Sequence, residues 1–273
     1  MKALLTRALT GIIFVGLIIF SIVSNPWILF NVFLIITCLA LFEYRNLLMA
    51  KSIRLSPLFF VPALAVYFMI AYTDLWEIAF FVKLFPFLLL AMLFSYSLFA
   101  LFRKTQHGAL TDIAASLAGI IVIVLPFAFI NHFPLLTANG HLVLLAVFVL
   151  IWTNDTFAYS IGSLIGKHPL FPRISPKKTW EGSIGGALCT WIFAYFFPFL
   201  FPSLMYNSWK WMGLAAVIVL TGTLGDLIES MFKRELGVKD SGTILPGHGG
   251  VLDRFDSILF AIPFVFIYLY IIN

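Results

Sequence analysis

Residues 210–234 read KWMGLAAVIVLTGTLGDLIESMFKR, an apolar run long enough to cross a bilayer, which takes about 20 residues, ending in two acids and two bases. The window 210–232 is one of nine such runs. The others fall at 8–24, 27–43, 56–72, 82–102, 112–131, 142–165, 183–202 and 254–272. Composition agrees: of 273 residues 62% are hydrophobic and 11% charged, against roughly 45–50% and 25% in soluble domains. With a mean hydropathy of +1.05 and 31 Phe, too little polar surface exists to coat a globule in water. The expected fold is an all-α, polytopic integral membrane protein of about nine transmembrane helices. One membrane domain, 1–273, is expected, with N-terminal helices of little motif content over 1–140 and the chemistry over 141–273.

The charge pattern orients these spans. Fifteen of the 17 basic residues lie in the N-terminal segment or in the loops around 43–55, 103–111, 166–181 and 233–254, while the alternate connections hold only Lys83 and Lys210. Positively charged loops stay in the cytoplasm, so the N-terminus is expected there and the C-terminus outside. The segment after Lys2 and Arg7 resembles a signal peptide, but no small-residue cleavage site follows at Ser24-Asn25-Pro26, and it is read as a retained first span. Cys38 and Cys189 sit inside apolar runs, which argues against a structural disulfide. Trp27, Trp76, Trp209 and Trp211, near span ends, are expected to anchor at the interface.

Acids inside apolar segments carry the chemical signal, because burying each costs a few kcal/mol. Asp155, Asp226 and Glu229 are such acids. Asp226, Glu229, Ser230 and Lys233 follow i, i+3, i+4, i+7 spacing and share one helix face; Asp253 and Asp256 repeat the i, i+3 spacing at the start of the last window. Two carboxylate faces meeting at one depth would give hard oxygen ligands for Mg²⁺. Structural ion pairs with Lys233, Arg234 or Arg254 are an equally good account of the spacing.

Two long loops, 166–181 and 233–253, are rich in Gly, Pro, Ser, Lys and His, and long ordered loops are usually functional. In the second, Lys233-Arg234, Lys239-Asp240, Gly242, Pro246-Gly247-His248-Gly249-Gly250 and Asp253-Arg254 mix cations with glycines, a combination that suits an anion. A plain basic loop with a glycine turn is the alternative, and loop packing explains His248 alone as well as ligand contact does. The first loop is not a P-loop, since Gly162 and Gly166 are four apart and His168 follows Lys167. Gly162-x-x-x-Gly166 and Gly182-x-x-x-Gly186 read better as helix-packing surfaces, and Lys177 and Lys178 read equally well as orienting charges. No protease, redox or dinucleotide motif is present.

The run 230–256, SMFKRELGVKDSGTILPGHGGVLDRFD, resembles the signature of the phosphatidate cytidylyltransferases, or CDP-diacylglycerol synthases, at every fixed position. Asp155, Ala158-Tyr159, Gly162, Gly166-Lys167, Ile174-Ser175-Pro176, Lys178-Thr179 and Glu181-Gly182 resemble that family's second motif block. Asn154 and Phe157 stand where relatives often carry smaller residues. The resemblance covers about the last 120 residues.

The resemblance implies transfer of CMP from CTP to phosphatidate with Mg²⁺, a second cation being left open. It assigns Asp226, Asp253 and Asp256 to the metal, with Glu229 supporting them. Lys233, Arg234, Lys239 and Arg254 would hold triphosphate or phosphatidate. His248, Gly249 and Gly250 would shape the loop around departing pyrophosphate, and Asp155, Ser175, Lys178 and Glu181 would complete the pocket from the other helix pair. The partners it implies are CTP, phosphatidate and bilayer lipid, in a bacterial inner membrane or its equivalent with the site facing the cytoplasm; a homodimer stays open and nucleic acid is not expected. A CTP-dependent lipid kinase and a secondary transporter are the competing readings.

Overall fold

The computed structural model describes residues 2–55, 59–71, 108–204 and 206–272, with positions 90, 93, 94, 96–98 and 101 between them. The chain forms helices α1 (Lys2–Val23), α2 (Pro26–Met49), α3 (Phe60–Ala71), α4 (Ala109–Ile130), α5 (Phe133–Leu136), α6 (Gly140–Ile165), α7 (Trp180–Leu200), α8 (Ser208–Glu235) and α9 (Leu252–Ile272). A hairpin of β1 (Pro169–Phe171) and β2 (Ser175–Thr179) joins α6 to α7.

Seven of these, α1, α2, α4, α6, α7, α8 and α9, are long and apolar enough to cross a membrane, and each coincides with an expected window. Within the window 56–72, α3 covers Phe60–Ala71, while 56–58 and 72 lie outside the described residues. About two thirds of the window 82–102 lies outside the described residues, as do Lys83, Arg103, Lys104 and Trp76.

Helix starts follow local chemistry. Asn25 and Asn207 each accept a backbone N–H through Oδ1, from Ile28 and Lys210 respectively, both at 2.9 Å, and Thr179 Oγ1 accepts the Gly182 N–H at the head of α7. Each satisfies a donor that a helix N-terminus leaves open. Within α4, Ile120–Val124 widen into a π turn.

The phenylalanines make the centre. Phe33 of α2, Phe127 of α4, Phe148 of α6 and Phe255 of α9 are all buried; Phe127 meets Phe255 edge-on at 5.0 Å, and Phe33 touches the other three. The opposite faces are apolar and exposed, as lipid contact requires. Along α7, Ile184, Leu188, Ile192, Phe196 and Phe199 form one such stripe. Trp27 and Trp209 are exposed near helix ends, as interfacial anchors should be, whereas Trp211 is fully buried and stacks on Phe197 at 4.7 Å. That corrects the expectation for Trp211, which lies one residue into the helix face that packs inward. Both cysteines are free.

Hydrogen bonds align the helix ends. The Arg54 N–H, just past α2, donates to Asp112 in the first turn of α4, and the Tyr44 hydroxyl donates to Ala115. At the other end Tyr67 donates to Phe30, and His132 bonds Ile70 O at 2.7 Å. Thus α2 ends and α4 begins at one face, while α3 ends at the other.

The glycines of α6 and α7 meet as their spacing implies. A Cβ at Gly182 would stand 2.6 Å from Ala158 O, and one at Gly186 would stand 2.8 Å from Asn154 O. Any larger residue must push two backbones apart. Gly186→Val is therefore expected to destabilise the protein by about 1–3 kcal/mol, read as a lower thermal unfolding midpoint in detergent. Ile184→Val, on the lipid-facing stripe, should leave the midpoint in place; an unshifted Gly186→Val protein would mean that this seam does not exist.

Candidate active site

The end of the bundle that carries both long loops also carries the titratable residues. Asp226 and Glu229 lie in the last third of α8, Asp253 and Asp256 in the first turns of α9, and Asp155 in α6. Asp256 lies within electrostatic reach of Asp226, Glu229 and Asp155. Helical spacing places each pair on one face, and the antiparallel packing of α8 on α9 turns the two faces toward each other.

Cations hold these acids in place. Lys233 Nζ lies 2.5 Å from Glu229 Oε2 and donates to Asp253 Oδ1 at 2.7 Å, its side chain only 11% exposed. It therefore ties α8 to α9. Lys178, from β2, pairs with Asp226 Oδ2, while Ser230 Oγ donates to Asp226 Oδ1 at 3.3 Å. The first motif loop is thus joined to α8 by an ion pair. Arg234 adds a second link: its Nε donates to Ile174 O at 3.3 Å and its Nη1 to Val238 O at 3.0 Å.

Asp253 is placed differently from its neighbours. Its Oδ2 accepts the N–H groups of Ser241 and Gly250, both at 2.8 Å, and its Oδ1 takes Lys233. Three protein donors leave it organising the loop. Asp256 Oδ1 accepts the Ser257 N–H at 2.7 Å.

The loop tip is a tight turn in which the Leu245 N–H donates to Gly249 O and the His248 N–H to Leu245 O. Gly247 and Gly249 adopt positive φ there, +76° and +85°, a conformation that glycine adopts without steric cost. The turn leans on α1, where a Cβ at Gly11 would stand 3.3 Å from His248 Nε2 and one at Gly247 would stand 2.7 Å from Arg7 Cγ.

Glu181 gathers the start of the hairpin instead. Its Oε1 lies 2.5 Å from His168 Nδ1, and its Oε2 accepts the N–H groups of Lys167 and His168. Ser175 opens β2 opposite Phe171. Lys239 and Arg254 are exposed, with Arg254 within electrostatic reach of Asp155.

One participant escaped the sequence reading. Glu43 of α2 is 2% exposed, and its carboxylate accepts the Val251 N–H at 2.9 Å, the Leu252 N–H at 3.0 Å and the Ser241 hydroxyl at 3.2 Å. The signal was an acid closing the apolar run NVFLIITCLALFEYR, where it passed for an interfacial charge.

Among the described residues, no group of three or more His, Cys, Asp or Glu side chains is arranged to hold a metal ion. The donor chemistry nevertheless suits Mg²⁺, which takes one or two carboxylates together with substrate phosphates and water rather than an all-protein cage. Asp226 and Asp256, within electrostatic reach of each other across α8 and α9, are two such carboxylates, Asp256 accepting the Ser257 N–H alone and Asp226 the Ser230 hydroxyl and Lys178.

Comparison with known proteins places the chain in a family. The profile described as "Cytidylyltransferase family" matches residues 5–272. A phosphatidate cytidylyltransferase of Staphylococcus aureus (strain COL) is 36% identical over 94% of this chain and 95% of its own length. One from Staphylococcus epidermidis is 36% identical over the same shares, and one from Staphylococcus haemolyticus is 48% identical over 48% of this chain and 50% of its own. With the match running through nearly its whole length, the chain belongs to the Cytidylyltransferase family.

Proposed function

We infer that this chain is a phosphatidate cytidylyltransferase: a multi-pass membrane enzyme that moves CMP from CTP to phosphatidate, giving CDP-diacylglycerol and pyrophosphate. The observation that carries this reading is the Lys178–Asp226 pair, which brings the first motif loop to the acid cluster of α8 and α9 in a chain of this family. An oxygen of the phosphatidate phosphate attacks the α-phosphorus of CTP, and the bond to the β-phosphate breaks as pyrophosphate leaves. The attacking phosphate is already largely ionised near neutral pH, its second pKa being about 6, so no strong base is needed. Positioning and neutralisation of charge dominate, as in related transfers.

Asp226 and Asp256 would hold Mg²⁺, with Glu229 supporting them and Asp253 keeping the loop beside them. When bound, the ion would neutralise charge on the phosphates. Arg254 and Lys239, exposed at the mouth, suit triphosphate or lipid phosphate. Lys178 is the cation best placed to turn from Asp226 toward an incoming phosphate. His248 and its glycines would border the leaving pyrophosphate.

Nine spans with the motif end in the cytoplasm is the topology we propose. The 15-to-2 division of basic residues supports it. So does parity: α2 ends and α4 begins at one face while α3 ends at the other, which calls for a return crossing that the window 82–102 can supply. CTP would enter from the cytosol. Phosphatidate would arrive sideways between helices, since each methylene withdrawn from the bilayer costs about 0.8 kcal/mol, and its headgroup would meet the cations at headgroup depth.

Three outcomes test these assignments. With CTP labelled at the α-phosphate, label should pass to the lipid and unlabelled pyrophosphate should appear; a lipid kinase would transfer the γ-phosphate and leave labelled CDP, and a transporter would yield neither product. Asp226→Asn and Asp256→Asn are each expected to lower turnover by about 10²-fold or more, the scale of one lost transition-state contact, while inserting and purifying normally. Near-normal rates at low Mg²⁺ in both would move the metal elsewhere. In a Cys38→Ser, Cys189→Ser background, Thr243→Cys and Lys177→Cys should react with an impermeant thiol reagent in inverted vesicles; labelling only from outside intact cells contradicts the orientation.

A further inference from the structure

The segment from Ser241 to Leu252 is a loop with a narrow neck, and two carboxylates close that neck. Asp253 takes the backbone N–H groups of Ser241 and Gly250. Glu43 takes the Ser241 hydroxyl on one side and the Val251 and Leu252 N–H groups on the other. Asp253 belongs to the motif the loop carries; Glu43 reaches in from α2, about 200 residues away in sequence.

The fit around Glu43 is close on every side. A Cβ at Gly242 would stand 2.6 Å from Glu43 Oε1, and one at Gly250 would stand 2.6 Å from Glu43 Oε2, so the backbone there comes as near as glycine permits. Both oxygens are acceptors: Oε1 for Val251, Oε2 for Leu252 and Ser241. An amide in the same place has one acceptor oxygen and turns an NH₂ toward a backbone N–H. A buried donor left without a partner is costly, and here that cost falls on the joint between the glycine-rich turn and the first turn of α9, which bears Asp253 and Asp256.

We propose that Glu43 is a positioning residue for cytidylyl transfer, holding the loop neck so that His248 and Gly249 at its tip and Asp253 and Asp256 beyond it keep a fixed relation to Asp226. Buried, with both oxygens taken by protein donors, it would act through the loop rather than on substrate. It gives the N-terminal half of the chain, which carries no motif, a part in the reaction through the loop it holds. The proposal rests on the activity inferred above, and its test separates the two: a wild-type chain that fails to make CDP-diacylglycerol refutes the activity, whereas the proposal concerns only the variants.

The full chain is purified in detergent with lipid, and kcat and KM are measured for CTP and for phosphatidate per folded molecule. Glu43→Gln is expected to lower kcat/KM for CTP by about tenfold or more, the equivalent of one or two unsatisfied buried donors. Amide hydrogen exchange at Val251 and Leu252 should quicken while exchange in the middle of α9 does not. Glu43→Asp, which keeps both acceptor oxygens on a shorter stem, should recover part of the loss. Thr37→Val, buried on the same helix and bonded only within it, should match wild type per folded molecule. A Glu43→Gln enzyme within twofold of wild type in both constants overturns the proposal. Should that variant not fold, Glu43→Asp decides: a reduced kcat/KM with faster exchange at Val251 and Leu252 supports it, and wild-type values in both overturn it.

Discussion

An acid can be built into a membrane helix only if something close by answers its charge, and this bundle is arranged around that requirement. Lys233 answers Glu229 and Asp253 together, and Lys178 answers Asp226. Each pairing also crosses between elements: α8 to α9 through Lys233, hairpin to α8 through Lys178. Removing one member of a buried pair leaves the other exposed to the full desolvation penalty, so the charges proposed for the chemistry also fix the relative positions of the helices carrying them. The aromatic centre below, around Phe33, Phe127 and Phe255, supplies bulk without direction. The ion pairs supply register.

Much of this was legible in the sequence because a bilayer leaves few choices. Apolar runs of the right length must be helices, since no water is present to satisfy an open backbone, and seven windows correspond to long helices in the structure. Trp211 shows the limit of such reading, because proximity to a span end says nothing about which way a side chain faces. The glycine seam was readable for a better reason, since paired small residues four apart mean close backbones whatever the surroundings.

The site divided along similar lines. Spacing on a single helix brought Asp226, Glu229 and Lys233 onto one face and set Asp253 beside Asp256, because helical geometry is local. What spacing could not provide was the partner of each charge. Lys178 on Asp226 and Arg234 on Ile174 O depend on how a hairpin folds back over α8, and Glu43 depends on contact between helices far apart in the chain. Asp253 is the clearest instance: its position in the motif was plain, but not that two backbone amides and a lysine surround it.

The head of α9 has a wider consequence. The N-terminus of a helix, with its open N–H groups and positive dipole end, is a natural seat for phosphate, and an enzyme that handles triphosphate would be expected to use one. Here that seat is filled by the protein's own Glu43. In the proposed function, nucleotide capture would then fall to charged side chains such as Lys239 and Arg254, whose attraction for an anion weakens as the Debye length shortens from about 10 Å at 0.1 M salt to 3 Å at 1 M. Affinity for the nucleotide should track the ionic strength of the medium closely, while the backbone framework that orders the catalytic loop stays indifferent to it.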